Sequence, residues 1–130
     1  MLLLDTSAWV ALFEGEDEGK EVLLHMREEE CCTSLATFAE ITDWAIRNKR
    51  DYKDRIKRMK ALSQIIEITE EIVILAGKIN PERKKQVHNW GMMDALIYAT
   101  AQTYGFTVLT KDPHFDSLPG VKLLGKTSKN

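Results

Sequence analysis

Short apolar runs alternate with longer stretches of helical period along the whole chain, and this alternation restricts the fold more than any other feature. Leu2–Leu4, Cys31–Ser34, residues 65–68, Thr107–Thr110 and residues 121–124 read as strands. Between them, residues 7–13, 20–29, 37–48, 51–63, 70–80 and Met92–Tyr104 place apolar side chains at helical spacing. Phe38, Ile41, Ala45 and Ile46 form one such stripe, and Ile56, Met59 and Leu62 another. Thr6 or Ser7 is the expected N-cap of the first helix and Thr69 that of the fifth. Gly15 and Gly19 frame a break after the first helix. Pro81 is expected to end the fifth helix, leaving 82–90 as a polar loop, and Gly105 to close the sixth. Short strands that alternate with helices belong to a parallel sheet covered on both faces. The expectation is therefore an α/β three-layer sandwich. At 130 residues the chain suits one domain, spanning 1–124, with a frayed tail at 125–130.

In such sheets ligands sit at the carboxyl ends of the strands. The leucines Leu2–Leu4 run directly into Asp5, and Asp112 follows Thr107–Thr110 by two residues. Two further acids lie in apolar company: Glu40 in TFAEITDWA and Asp94 in GMMDALIYATA. A carboxylate is seldom buried unless it is paired or bound to a metal. Clustered acids repel one another and need protons or cations to compensate. Oxygen-only ligands suit hard cations such as Mg²⁺ or Mn²⁺. A pair of such ions about 4 Å apart is a common device for phosphodiester cleavage. Each acid has an ordinary reading as well. Asp5 can cap a helix, Glu40 can be a surface acid pairing with neighbours on its helix, Asp94 can complement a helix dipole, and Asp112 can sit in a turn before proline.

The apolar run at residues 2–4 is far shorter than the roughly 20 residues of a membrane span, and no cationic segment precedes it as in a signal peptide. Cys31 and Cys32 are neighbours, which disfavours a disulfide between them, and no Cys or His cluster completes a zinc site. A reducing, cytoplasmic setting is the expectation. The net charge of −2 conceals two opposed stretches. Residues 14–30 carry eight acids and two bases, and residues 47–60 carry eight bases and two acids. Arg47, Lys49 and Arg50, with Lys84, Lys85 and His88 further on, are candidates for tracking a phosphate backbone. Trp44, Tyr52 and Trp90 are candidates for stacking on unpaired bases, with core packing the plainer role for Trp44.

LLLDTSAWVALF, FAEITDWAIR and GMMDALIYATAQTYGFTVLTKDPHF stand in this order along nearly the whole chain. Together they resemble the motifs of PIN-domain nucleases, and most of all the small VapC-type toxins of toxin–antitoxin pairs. The resemblance implies a PIN-like fold and metal-dependent endoribonuclease activity with Mg²⁺ or Mn²⁺. It makes Asp5, Glu40, Asp94 and Asp112 the catalytic quartet, with Asp5 and Asp94 as direct ligands. Thr6 and Thr110 match supporting polar positions. It also implies an RNA substrate, a homodimer and a cognate antitoxin. One departure stands out: many relatives carry an acid just before the aromatic of the last motif, where this chain has His114. Asp116 is a candidate replacement.

Two other chemistries compete. A haloacid-dehalogenase-like phosphatase also opens on a strand ending in Asp, but it wants a second acid two residues on, where Ser7 stands. A catalytically idle PIN-like RNA-binding or scaffold protein would keep the acids and bind metal without cleaving.

Overall fold

The structure is a computed structural model that describes residues 1–125. Five parallel strands form one sheet: β1 (Leu2–Leu4), β2 (Cys31–Ser34), β3 (Gln64–Ile66), β4 (Thr107–Thr110) and β5 (Val121–Leu123). Their order is β3-β2-β1-β4-β5. Six helices connect them: α1 (Thr6–Phe13), α2 (Asp17–Glu28), α3 (Leu35–Arg47), α4 (Tyr52–Leu62), α5 (Glu70–Gln86) and α6 (Met92–Tyr104). This is the expected three-layer α/β sandwich.

The sheet is buried on both sides because its strands alternate between two cores. Leu3, Cys32 and Val108 face Ile72 and Ala76 of α5 and Ala95 and Tyr98 of α6. Leu2, Leu4, Cys31 and Leu109 face Ala8 and Trp9 of α1, Val22 of α2, Ile41 of α3 and Met59 of α4. Three successive leucines in β1 thus serve both faces, which explains why the run is uniformly apolar. The chain builds outward from β1 to β3, then returns to place β4 on the other side of β1. The order reverses between β1 and β4, and a crevice opens at the carboxyl ends of such a strand pair.

Several local expectations are corrected. Helix α1 starts at Thr6, and its cap is Asp5, not Thr6 or Ser7: Asp5 Oδ1 accepts from Ala8 N at 3.0 Å. Gly19 lies within α2 and marks no break. A Cβ there would come within 2.3 Å of the Ala11 carbonyl oxygen, so the glycine lets α2 press against α1. Helix α5 runs through Pro81 to Gln86, removing most of the expected 82–90 loop. Ile79 and Val87 pack against the same core on either side of the proline, and this anchorage outweighs the roughly 3 kcal/mol local cost of an interior proline. Ile46 and Leu62, expected inward, are exposed because α3 and α4 end there beyond the edge of the core. Strand β3 stops at Ile66, and Ile68 is exposed. Of the expected frayed tail, Gly125 donates its N–H to Glu21 Oε1 at 3.0 Å, and 126–130 lie outside the described residues. Among the described residues no helix is long and apolar enough to cross a membrane.

Candidate active site

A cleft of about 450 Å³ opens where β1 and β4 end. Asp5, Glu40, Asp94 and Asp112 all line it, delivered by β1, α3, α6 and the turn after β4. Thr6, Ser7, Glu16, Ile97, Lys111 and Phe115 contribute to its wall.

Asp5 is the most deeply set acid, 5% exposed. Its Oδ1 accepts from Ala8 N and from Ser7 Oγ at 2.8 Å, and its Oδ2 accepts a short bond from Thr110 Oγ1. The two oxygens of a carboxylate offer about four acceptor positions. Three are taken, and the remaining one, on Oδ2, is available to a ligand. Burial pushes the Asp5 carboxyl up to about 6; bonds from Thr110, Ser7 and Ala8 oppose the shift, and the Asp112 charge adds to it. The N-cap and the site are therefore one residue: the backbone and hydroxyl donors that start α1 also fix the carboxylate.

Thr110 joins the two strand ends, since its hydroxyl also accepts from Asp112 N at 2.9 Å. Ser7 repeats this link by accepting from Lys111 N at 2.9 Å. Thr6 Oγ1 donates to Glu40 Oε1 at 2.5 Å, tying α1 to α3. Asp94 occupies the first turn of α6, where its Oδ2 accepts from Gly91 N at 3.0 Å. Burial, with lesser contributions from Asp112 and Glu40, also raises the Asp94 carboxyl, against the Gly91 bond and His114.

Asp112 Oδ1 accepts from His114 N at 2.9 Å and caps the short 3-10 turn Pro113–Phe115. His114 Nδ1 stands 3.3 Å from Asp112 Oδ1 and 3.7 Å from Asp94 Oδ2. The donor atoms of Asp94, Asp112 and His114 lie within 4.8 Å of one another. Among the described residues, the buried Nδ1 has no hydrogen-bond partner. Among the described residues, the one lysine in the cleft wall, Lys111, is ion-paired with Glu16. A buried carboxylate with a free acceptor position, two more acids and an unpartnered imidazole nitrogen make a donor set that fits a divalent cation.

Other expected site residues lie elsewhere. Asp116 is exposed and absent from the cleft wall; its Oδ1 accepts from Ser117 N at 3.0 Å. Arg47, Lys49, Arg50, Lys84, Lys85 and His88 are exposed and do not line the cleft. Arg47 pairs with Asp43, and Arg50 grips both oxygens of Glu14 at 3.1 and 2.9 Å. Trp90 is 1% exposed and packs edge-on against Phe115, which removes it as a stacking platform for bases. Trp44 is half-buried and stacks on Phe13.

Sequence reasoning left the site roles of four residues unassigned. From sequence Ser7 reads as a cap or as the place of a missing acid, yet it braces Asp5 and the Lys111 backbone. Its position two residues after a strand-ending acid was the available signal. Lys111 and Glu16 pair at the rim, and only the fold brings these distant residues together. Arg83 donates to His114 O at 2.8 Å and Asp116 O at 3.0 Å, holding the turn that carries Asp112 and His114.

The PIN-domain family model matches residues 2–121, and the chain belongs to that family, whose members are nucleases. Solved structures give the same fold. A toxin–antitoxin complex from Klebsiella pneumoniae matches with a TM-score of 0.75 and 26% identity, over 94% of this chain and 96% of that one. VapBC2 from Rickettsia felis, bound to a promoter DNA fragment, matches with a TM-score of 0.73 and 19% identity, over 94% and 96%. VapC20 from Mycobacterium tuberculosis, a toxin that cleaves the sarcin–ricin loop, matches with a TM-score of 0.72 and 16% identity, over 95% and 99%. A sequence comparison with curated proteins finds no match.

Proposed function

We propose that the chain is a Mg²⁺- or Mn²⁺-dependent endoribonuclease and the toxin of a toxin–antitoxin pair, acting in the cytoplasm as a single PIN-like domain over 1–124. The observation that carries this reading is the convergence of Asp5, Glu40, Asp94 and Asp112 on one half-buried cleft. Asp5 and Asp94 are the direct metal ligands in this reading. Asp5 and Asp94 would hold a divalent cation there, whose chemistry would be to supply positive charge to the scissile phosphate and to acidify a water. The chain's own residues position the reactants. Thr110 and Ser7 hold the Asp5 carboxylate against rotation, so its free Oδ2 position points one way. Thr6 fixes one oxygen of Glu40 and leaves the other to orient the attacking water. Ile97 and Phe115 give the cleft an apolar wall, which strengthens electrostatic contacts within it.

Single-stranded or looped RNA is the proposed substrate. The description of VapC20 as a sarcin–ricin-loop-cleaving toxin supports it, as do the basic side chains Arg47, Lys49, Arg50, Lys84, Lys85 and His88 around the fold. Outside the cleft, these would engage phosphates flanking the cut. The toxin–antitoxin complexes among the similar structures support a cognate antitoxin, whose arginine could occupy the acidic cleft, and a homodimeric toxin accompanies this reading. The phosphatase alternative loses ground, because Ser7 stands where its second acid belongs.

The test is cleavage of labelled single-stranded and hairpin RNAs with Mg²⁺, with Mn²⁺ and with EDTA, by wild type and Asp94→Asn. Cleavage that needs metal and is lost in the variant is expected. Metal binding without cleavage of any RNA would favour the idle, RNA-binding reading, and cleavage surviving in Asp94→Asn would displace the site.

A further inference from the structure

His114 is not explained by packing or by hydrogen bonding. Its ring is 28% exposed, yet its Nδ1 is buried and unpartnered among the described residues. A histidine that served only to fill a turn would direct that nitrogen to water or to a carbonyl. This one directs it at two carboxylates, 3.3 Å from Asp112 Oδ1 and 3.7 Å from Asp94 Oδ2. Ligand distances of about 2.1 Å put neighbouring donors around one ion roughly 3.0 Å apart in octahedral geometry and roughly 3.4 Å apart in tetrahedral geometry. The observed separations are close to those spacings before any ion is bound.

The backbone around His114 is held at three points. Its N–H donates to Asp112 Oδ1, its carbonyl accepts from Arg83, and the adjacent Phe115 is buried against Trp90. Arg83 in turn lies over the Trp90 ring at 5.4 Å. The imidazole is thus presented to the acids from a braced turn, as a coordinating side chain needs to be.

We propose that His114 Nδ1 is itself a ligand of the cation held by Asp94 and Asp112. The site is then a mixed nitrogen–oxygen centre that favours Mn²⁺ over Mg²⁺. Mg²⁺ keeps to oxygen donors, whereas imidazole nitrogen suits the transition metals. The inference rests on the nuclease reading above for the presence of a metal at Asp94, and goes beyond it in adding Asp112 and His114 as donors and in naming the ion they select.

The experiment uses the full chain, stripped of metal and titrated with Mn²⁺ and with Mg²⁺, for wild type, His114→Asn and Asp94→Asn. Calorimetry reads the affinities, and pulsed electron paramagnetic resonance of the Mn²⁺ complex reads coupling to a directly bound imidazole nitrogen. Wild type is expected to show that coupling and His114→Asn to lack it. Losing the ligand should weaken Mn²⁺ about tenfold or more, a loss typical of perturbed metal sites, while Mg²⁺ changes by less. Mn²⁺ bound by wild type and lost in Asp94→Asn, but with no nitrogen coupling, overturns the role of His114 and leaves the nuclease reading intact. Equal weakening of both ions in His114→Asn overturns the selectivity. No Mn²⁺ binding by wild type overturns both readings. The wild-type spectrum decides the ligand question even where a variant folds poorly.

Discussion

The acidic cleft and the basic stretch at residues 47–60 are built in opposite ways. The stretch has eight bases close together in sequence, and its four arginines find partners in the fold. Arg47 pairs with Asp43 one turn away, Arg50 with Glu14 and Arg55 with Asp54. Arg55 and Arg58 also lie over the Phe13 ring at 5.9 and 5.3 Å. The cleft's acids are scattered over more than a hundred residues, and the fold gathers them where cations are scarce. A run of charges on the surface is met by solvent and by single partners. Charges that the fold forces together, with hydroxyls bracing them and a nitrogen left unpartnered, remain unsolved until something binds.

Substitutions in the two regions should therefore diverge. The largest effect is expected at the cleft: Asp5→Asn, Asp94→Asn or Asp112→Asn should lower RNA cleavage at least about a thousandfold, because metal-borne charge stabilisation is worth several kcal/mol. Initial rates on a labelled RNA measure this, and a loss of only a few-fold would dissolve the contrast.

The same residue should raise stability when neutralised. In the metal-free fold Asp5 gains its proton near pH 6, against an ordinary value of 3.8. Between those values the folded state binds more protons than the unfolded chain. The contribution of Asp5 to stability is then greatest below about pH 4 and is lost as pH rises through about 6, the reverse of a salt-bridged carboxylate. The gap corresponds to roughly 3 kcal/mol. In EDTA, Asp5→Asn should match wild type near pH 4 and exceed it in melting temperature at pH 7. Equal melting curves across that range would mean that Asp5 is not strained by burial.

Smaller losses follow from the parts that position the site. Arg83→Ala removes two hydrogen bonds to the His114 turn and should cost about 1–3 kcal/mol in denaturant melts. Arg83→Lys should not fully restore it, because the planar guanidinium also lies over the Trp90 ring at 5.4 Å. Gly19→Ala should cost a similar amount or more, since the added methyl meets the Ala11 carbonyl. The smallest effect belongs to the basic stretch. Arg47→Ala breaks an exposed pair and should change stability by less than about 0.5 kcal/mol. Any loss of RNA affinity should shrink as salt is raised.

Much of this architecture was legible in the sequence. Helix α6 and strand β4 carry their own limits, with Gly105 in left-handed geometry at φ 71 closing the helix. The strand-ending position of Asp5 and the place of Asp112 after β4 led to one edge of the sheet, where both now line the cleft. What escaped was set by tertiary contact. Pro81 reads as a stop, and only the packing on both sides of it carries α5 onward. Trp90 reads as an exposed loop aromatic until α5 lengthens and buries it against Phe115. The basic side chains signal charge, but nothing in their spacing tells that they lie outside the cleft. His114 could be seen as a departure from a motif, but its orphaned nitrogen is a fact of the fold alone.

The most direct test of the account is the initial rate of RNA cleavage by wild type and Asp112→Asn, each in Mn²⁺ and in EDTA. Cleavage by wild type is expected in Mn²⁺, abolished by EDTA, restored when Mn²⁺ is added back, and absent from the variant throughout. Cleavage by wild type in EDTA, or an Asp112→Asn variant as fast as wild type, would contradict a metal-dependent site built on these acids.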